Sequence, residues 1–300
     1  MSRRRLLAWG AGGLLAVAGA GVIGFELVEH GVLPGKTELD QLDGACSVSG
    51  SPLVFSAPGA SISGSFFSKA RRRNVGYTLA YPPDHGPGSQ LPLVVVLHGY
   101  GANHTNALAS MTLAQAGALQ VSGSRLPPIA LISVDGGGGY WNPHPKDNPM
   151  AMVVNEVIPM CQERGLGRNP QSIGIMGISM GGYGALLLAE KYPQRISADA
   201  AISPAVGTSY EQARAANAGA YASAEDFISD DVVTHASALE GIAVRVASGI
   251  SDPFHPGVEA LVAMLPPGAV VEISPGCHTG PFFASQEAPS LMFLGKHLTV

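Results

Sequence analysis

The chain has 300 residues, of which 46% are hydrophobic and 13% are charged, and its formal net charge is −5. This composition excludes a disordered or coiled-coil protein and allows a large buried core. The net charge is negative and no basic stripe occurs, so we expect no nucleic-acid partner. We expect one large α/β domain that follows a targeting segment.

Residues 1–35 have the features of an export signal or a membrane anchor. Arginines at positions 3–5 precede positions 6–25, which contain no charged residue, and about 20 apolar residues span a bilayer. This charge distribution places the N-terminus in the cytoplasm and the remaining chain across the membrane. The Ser-Arg-Arg-x-Leu-Leu start resembles a twin-arginine export signal. Cleavage and retention both stay open, and both predict an extracytoplasmic protein that contacts the membrane only through this segment.

The cysteine pattern favours at most one disulfide. Cys46, Cys161 and Cys277 are too few for a disulfide framework, and none has zinc-ligand spacing, so we expect no metal. Cys46 lies in a small, polar segment, 36–60, which predicts a linker or irregular arm. Because export permits a disulfide, we expect Cys46 to pair with Cys161 and Cys277 to stay a buried thiol beside His278.

The first predicted strands form a β-hairpin. Segments 61–68 and 75–81 alternate between apolar and polar residues, and an arginine-rich stretch, 71–73, lies between them. We interpret this stretch as a solvated turn, and a patch that binds a polyanion is the alternative.

The rest of the chain alternates between short apolar runs and helical stretches. The runs are typical of strands buried on both faces, and they lie at 93–97, 129–134, 172–176, 198–202, 242–247 and 270–274. Four helical stretches separate them, at 105–118, 151–164, 182–191 and 256–265. This order requires a mainly parallel sheet with right-handed crossovers and helices on both faces. The Ala-rich, polar segment 207–240 predicts a small cap.

A nucleophile elbow is predicted at residues 177–181, Gly-Ile-Ser-Met-Gly, which lie between a predicted strand and a predicted helix. The two glycines permit a sharp turn that projects the Ser179 hydroxyl above the sheet. A catalytic serine needs a general base that a carboxylate orients. In enzymes with such an elbow, the chain order is serine, acid, histidine. Asp252 and His278 each follow a predicted strand. We therefore predict the catalytic triad Ser179, Asp252 and His278.

Other residues compete for the base and acid roles. The rival bases are His235, His255 and His297, and the rival acids are Asp230 and Asp231, which follow no predicted strand.

An oxyanion hole is expected from two backbone N–H groups, those of Met180 after the nucleophile and of Tyr100 in the turn after strand 93–97. His98 and Gly99 in this turn are predicted to lie at the substrate pocket, with His98 in a structural role rather than as a base.

The glycine-rich segment 135–141 also follows a predicted strand, at the edge of the sheet where ligands bind. It lacks the motifs of a phosphate-binding loop, so we expect no nucleotide. We predict that Tyr140 and Trp141 form an apolar wall of the substrate pocket, and the alternative is that they only pack the loop.

Residues 61–300 resemble α/β-hydrolases of the esterase group that includes esterase D, the S-formylglutathione hydrolases and the mycobacterial antigen 85 mycolyltransferases. The resemblance is carried by V-V-V-L-H-G-Y-G at 94–101, D-G-G-G-G-Y-W at 135–141, G-I-S-M-G-G-Y-G-A-L at 177–186, S-G-I-S-D-P-F at 248–254 and G-C-H-T-G at 276–280. It implies an α/β-hydrolase fold and a serine esterase or acyltransferase without a cofactor. An aspartate as the acid favours hydrolysis over mycolyl transfer, and Thr279 argues against specificity for glutathione thioesters.

We therefore expect an exported serine carboxylesterase for short- to medium-chain acyl esters, with an optimum between about C4 and C8 because the cap is too polar to act as a lipase lid. The alternatives are an acyltransferase that acts on cell-envelope glycolipids and a non-catalytic exported binding domain. The sequence leaves the oligomeric state open.

Overall fold

The computed structural model describes residues 46–47, 58–116 and 126–299. Its centre is an eight-stranded sheet with the strand order β1-β2-β4-β3-β5-β6-β7-β8. The strands are β1 Ser61–Ser68, β2 Arg73–Ala80, β3 Leu93–Leu97, β4 Ala130–Val134, β5 Ile173–Ile178, β6 Ala198–Ile202, β7 Ala243–Gly249 and β8 Val270–Ser274. Strands β1 and β2 pair antiparallel, β2 also pairs antiparallel with β4, and the remaining neighbours are parallel. The predicted α/β-hydrolase fold is confirmed.

Seven α-helices and two 3₁₀ helices, Pro170–Ser172 and Ala236–Leu239, accompany the strands in the described part of the chain. The α-helices are numbered α1 to α7. They are α1 His104–Ala116, α2 (Pro149–Met152, Val153–Val157 and Ile158–Gln162), α3 Met180–Lys191, α4 Tyr210–Ala216, α5 Ala224–Ser229, α6 His255–Met264 and α7 Gly280–His297. The middle part of α2, Val153–Val157, is a π-helical turn. It lies shortly before Pro159, which has no N–H and whose ring would clash with the carbonyl four residues earlier in a regular α-helix.

Apolar side chains cover both faces of the sheet. In β3, Val94 and Val96 pack with helices α1 and α7 on one face. Val95 and Leu97 belong to the larger core, which contains α2, α3 and α6, on the other face. Successive side chains of a strand point to opposite faces, so a continuous apolar run satisfies both layers.

Strand β8 departs from the prediction of a strand that is buried on both faces. Val270, Val271 and Ile273 are 44%, 37% and 36% exposed. The strand is apolar, but it lies at the edge of the sheet, where it has a neighbouring strand on one side only. Its sequence alone does not distinguish an edge strand from a central one.

The turn of the β1–β2 hairpin is not simply solvated, as predicted, because Arg71 is only 4% exposed. Its guanidinium donates to both carboxylate oxygens of Asp147, at 2.7 and 2.9 Å, and also to the Asp135 carbonyl oxygen. Arg71 therefore joins the hairpin to the loops that follow β4. Burial alone would raise the pKa of Asp147, but the hydrogen bonds and charge of Arg71 and the charge of Arg73 lower it below its usual value.

The predicted disulfide is wrong. Cys46 pairs with Cys277, with a Cα–Cα distance of 4.9 Å, and the free cysteine is Cys161. Cys161 lies fully buried in α2 within the larger core, where burial raises the pKa of its thiol to about 12. The disulfide thus ties the chain at Cys46 to the residue that directly precedes His278.

The predicted cap, 207–240, contains α4, α5 and a short 3₁₀ helix, Ala236–Leu239. It packs on α3, where the Tyr183 hydroxyl donates to the Asp230 carbonyl at 2.6 Å and Lys191 pairs with the Asp230 carboxylate at 3.0 Å. The predicted export segment and most of the arm 36–60 lie outside the described residues. Among the residues described, no helix is both long and apolar enough to cross a membrane.

Candidate active site

Ser179 lies at the turn between β5 and α3, with φ 58° and ψ −119°. This backbone region is strained for a residue with a side chain, and such strain concentrates at functional sites. The turn is possible because Gly177 and Gly181 approach other backbone closely. A Cβ on Gly181 would overlap the Leu97 carbonyl oxygen, and a Cβ on Gly177 would overlap the Gly181 carbonyl. The two glycines therefore permit the turn that presents the serine hydroxyl.

The structure brings the three predicted triad residues into one hydrogen-bonded chain. His278 Nε2 lies 2.8 Å from Ser179 Oγ, and His278 Nδ1 lies 2.8 Å from Asp252 Oδ2. The Asp252 side chain is fully buried, and its Oδ1 accepts the backbone N–H of Phe254 at 2.9 Å. This arrangement can transfer the serine proton to an imidazole whose orientation the carboxylate maintains.

Two aromatic rings hold the His278 imidazole from the sides. The rings of Phe254 and Phe283 stand nearly edge-on to it, with centroids 5.3 and 4.9 Å away. The carboxylate and the two rings together restrict the rotation of His278, whose side chain is 20% exposed.

Four of the five rival side chains have other partners. His255 Nε2 lies 3.4 Å from a Glu259 oxygen, and His297 Nδ1 pairs with the Phe293 carbonyl of its own helix. Asp231 accepts a backbone N–H within the segment 207–240, and Asp230 pairs with Lys191. His235 precedes the 3₁₀ helix of the same segment.

The two predicted oxyanion donors lie at the ends of neighbouring strands. Met180 is the first residue of α3, where N–H groups lack a carbonyl partner within the helix. The Gly99 carbonyl is held by His98 Nδ1 at 2.8 Å and by the Ala102 N–H at 3.2 Å. Because a trans peptide is planar, these bonds turn the Tyr100 N–H to the opposite side of the peptide.

The contacts of His98 are those of a buried, neutral imidazole with a structural role. Its Nε2 accepts the Gly136 N–H at 2.9 Å, so the proton lies on Nδ1, which donates to the Gly99 carbonyl. Burial lowers the pKa of His98. With both ring nitrogens engaged, His98 orients the turn that carries Tyr100.

A cavity of about 430 Å³ adjoins Ser179 and His278. Besides these two residues its lining is mostly apolar, and it consists of Leu97, His98, Gly99, Tyr100, Ala102, Asn106, Ala107, Ser110, Met111, Ile178 and Phe283. His98 and Gly99 therefore both line the cavity beside Ser179. The volume is at the lower end of the range for small-molecule sites.

The predicted pocket wall of Tyr140 and Trp141 is not part of this cavity. Trp141 is fully buried against Gly136 and Gly184, and its indole N–H donates to the His98 carbonyl at 3.2 Å. Tyr140 packs against the ring of Tyr183 at 5.4 Å. Trp141 thus supports the turn after β3, and Tyr140 packs on α3. No residue of 207–240 lines the cavity either.

A family model described as "Putative esterase" matches residues 68–255. The chain belongs to this esterase family. The matched region contains Ser179 and Asp252, whereas His278 lies beyond it. The chain is thus a carboxylic ester hydrolase, as the resemblance implied. No curated protein sequence matches the chain significantly.

Solved structures of several esterases have the same fold. A ferulic acid esterase superposes with a TM-score of 0.67 at 16% identity, over 81% of this chain and 100% of that chain. An S-formylglutathione hydrolase from Agrobacterium tumefaciens gives a TM-score of 0.60 at 16% identity, over 84% and 99% of the two chains. A ferulic acid esterase from Anaeromyces mucronatus gives 0.62 at 13% identity, over 80% and 93%. At sequence identities of 13–16%, these superpositions show a shared fold only.

Sequence reasoning missed a polar contact at the cavity of this esterase. Ser110 in α1 lines the cavity, and its hydroxyl donates to Glu287 of α7 at 2.6 Å. Burial raises the pKa of Glu287 to about 7. The two residues are separated by 177 positions, so no local pattern could have predicted their contact.

A pair of buried carboxyls, Glu190 and Asp199, lies away from the cavity. Burial and the neighbouring Asp199 raise the pKa of Glu190 to about 9, and burial raises the pKa of Asp199 well above its usual value. Neither carboxyl oxygen of Glu190 has a hydrogen-bond partner within the described structure. A carboxyl group under such conditions is protonated at neutral pH.

Proposed function

We propose that this carboxylic ester hydrolase is a serine esterase whose triad consists of Ser179, His278 and Asp252. The observation that carries the proposal is the continuous hydrogen-bonded chain from Ser179 Oγ through both nitrogens of His278 to Asp252, with 2.8 Å at each step. The cavity beside Ser179 supplies room for an acyl group.

In the proposed acylation, His278 Nε2 takes the proton of Ser179 as Oγ attacks the ester carbonyl carbon. The negative charge that develops on the carbonyl oxygen is stabilised by the N–H groups of Met180 and Tyr100. His278 then gives its proton to the leaving alcohol, and an acyl-enzyme remains. Water repeats the sequence with the same base and releases the acid. No step requires a cofactor.

The proposed acyl specificity is short to medium chain length. Each buried CH₂ contributes roughly 0.8 kcal/mol until the pocket is full, so kcat/KM should rise over the first carbons and then level off. For a cavity of about 430 Å³ we propose a maximum between about C4 and C8.

The decisive experiment is a series of 4-nitrophenyl esters from C2 to C16 with wild type and Ser179→Ala. A maximum between C4 and C8 that disappears in Ser179→Ala is expected, together with covalent labelling of Ser179 by a fluorophosphonate. Equal rates for the two proteins would reject the serine mechanism. A steady rise to C16 would reject the chain-length proposal, and a sugar or glycerol acceptor that outcompetes water would identify an acyltransferase.

We also propose that the enzyme acts outside the cytoplasm. The support is the sequence of residues 1–35, in which paired arginines precede a glycine-rich apolar run. Replacement of Arg3 and Arg4 by lysine should retain a fused reporter in the cytoplasm. Unchanged export would indicate a different secretion route.

A further inference from the structure

The cavity beside Ser179 has a polar position on an otherwise mostly apolar wall. Helix α1 contributes Ala107 and Met111 to the lining, and Asn106 and Ser110, one turn apart, lie beside them. The Ser110 hydroxyl donates to Glu287 Oε1 at 2.6 Å. Neither Ser110 nor Glu287 belongs to the triad or the oxyanion turn.

The contact determines which hydrogen-bonding role Ser110 can take towards the cavity. An ionised carboxylate only accepts hydrogen bonds, so the single proton of the serine hydroxyl is directed to Glu287. The remaining lone pairs of Ser110 Oγ can accept a hydrogen bond from a ligand. Because the pKa of Glu287 is about 7, this state prevails at pH 8.5.

The position of Glu287 also favours a functional role over a purely structural one. Glu287 is only 3% exposed, and the burial of a carboxylate costs free energy that an apolar contact between α1 and α7 would not. Among the described side chains, the only hydrogen-bond donor to the Glu287 carboxyl is Ser110, a residue of the cavity wall.

We propose that Ser110, oriented by Glu287, is a polar subsite of the acyl pocket that selects acyl groups bearing a hydroxyl distant from the ester carbonyl. This inference rests on the proposed function, since it assumes that the acyl group occupies the cavity beside Ser179. The hydroxyl of the acyl chain donates to Ser110 Oγ, and the Asn106 amide lies one helical turn away on the same wall. Without such a partner, a hydroxyl among Met111 and Phe283 loses its hydration without compensation.

The test compares methyl esters of C6, C7 and C8 acids with their ω-hydroxy counterparts at pH 8.5. The readout is the ratio of kcat/KM for the hydroxylated ester to that for the plain ester, which cancels general effects of a substitution on catalysis. We expect Ser110→Ala to lower this ratio about tenfold at the chain length where wild type has its highest ratio. Thr112→Ala is the matched control, because the Thr112 hydroxyl bonds the Leu108 carbonyl of its own helix.

The Glu287→Gln variant tests separately whether Glu287 orients the Ser110 hydroxyl. The amide can donate as well as accept, so Ser110 is no longer restricted to acceptance, and we expect a smaller fall in the ratio through a higher KM for the hydroxylated ester. Equal losses for both esters would show that Glu287 only supports the fold.

The outcomes separate the two proposals. If wild type hydrolyses the plain esters through Ser179 but Ser110→Ala leaves the ratio unchanged, the polar subsite is rejected and the serine esterase stands. If wild type and Ser179→Ala hydrolyse the plain esters equally, both proposals are rejected.

Discussion

Replacement of Asp252 by asparagine examines how the buried carboxylate controls the imidazole. Asp252 Oδ1 accepts the Phe254 N–H at 2.9 Å, while Oδ2 faces His278 Nδ1 at 2.8 Å. An asparagine has one acceptor and one donor group in place of two acceptors. Its oxygen should remain on the Phe254 N–H, because the opposite orientation would set two donors against each other and leave a buried N–H unpaired.

The amide nitrogen of the substituted side chain would then face His278 Nδ1, which must accept. The imidazole proton moves to Nε2, the atom that lies 2.8 Å from Ser179 Oγ. In this tautomer Nε2 cannot take the serine proton. The comparable change in a serine protease triad lowers kcat by about 10⁴-fold, which corresponds to about 5.5 kcal/mol of transition-state stabilisation. Since the Asp252 side chain is fully buried, solvent should not restore the correct tautomer.

The assay is the hydrolysis of 4-nitrophenyl butyrate, with kcat/KM measured for wild type and for Asp252→Asn. Asp230→Asn and Asp231→Asn are the matched controls, and thermal unfolding checks that each variant is folded. We expect a loss of about 10⁴-fold for Asp252→Asn only. A folded Asp252→Asn enzyme within tenfold of wild type, or a larger loss in a control, would refute the assigned acid and the tautomer argument.

Three further predictions concern stability. Glu190, with its pKa raised from an unfolded value of 4.5 to about 9, retains in the folded state a proton that the unfolded chain releases. The contribution of Glu190 to the free energy of unfolding is therefore complete below pH 4.5, and it decreases by about 1.4 kcal/mol per pH unit as the pH rises towards 9. The loss of unfolding free energy between pH 6 and pH 8 should be about 2–3 kcal/mol smaller in Glu190→Gln by urea denaturation, and parallel pH profiles would contradict this. Arg71→Met should destabilise the protein by about 1–3 kcal/mol, because it leaves the Asp135 carbonyl without its donor and the Asp147 carboxylate with only Arg73 as a partner. Asp147→Leu in addition should recover part of the loss. A double variant no more stable than the single one would argue against the ion pair. Gly181→Ala should abolish activity and lower the melting temperature, because the added Cβ overlaps a carbonyl oxygen of β3. Gly280→Ala is the control, and it should melt like wild type because the space at its Cβ is open. Equal melting temperatures for the two variants would show that the elbow tolerates a side chain.

Much of the fold was predictable because it depends on local patterns. Four of the predicted strands, 61–68, 93–97, 198–202 and 270–274, have the observed bounds, since short alternating or apolar runs between turns favour strands whatever surrounds them. The order of strands and helices then requires a parallel sheet. The extent of burial did not follow from the same pattern, as β8 shows, because burial depends on which elements cover a strand.

The candidate triad was predictable for a related reason. In a parallel sheet the carboxyl ends of the strands meet at one edge, so residues that follow different strands come together even when they are far apart in sequence. Ser179, Asp252 and His278 follow β5, β7 and β8, and the fold joins them in one hydrogen-bonded chain. Their catalytic role stays a prediction.

The disulfide partner and the cavity wall were not predictable. The sequence contains three cysteines without any mark of which two approach each other, and the pairing of Cys46 with Cys277 depends on where the chain before β1 lies. Trp141 is an apolar residue in a glycine-rich loop at the correct edge, yet it packs closely against two glycines and lies in the core. Its place at the cavity is taken by side chains of α1 and by Phe283.

The sequence by itself thus determined the class of fold, the order of its elements and the residues that follow its parallel strands, because each depends on local periodicity and on the direction of the strands. Only the tertiary structure decided what surrounds these residues: the aromatic rings on His278, the pairing of Ser110 with Glu287 and the burial of Arg71 against Asp147. The reason is that such contacts join side chains from distant segments, and their free energies depend on the packing and desolvation of the assembled core rather than on any neighbouring residue in the chain.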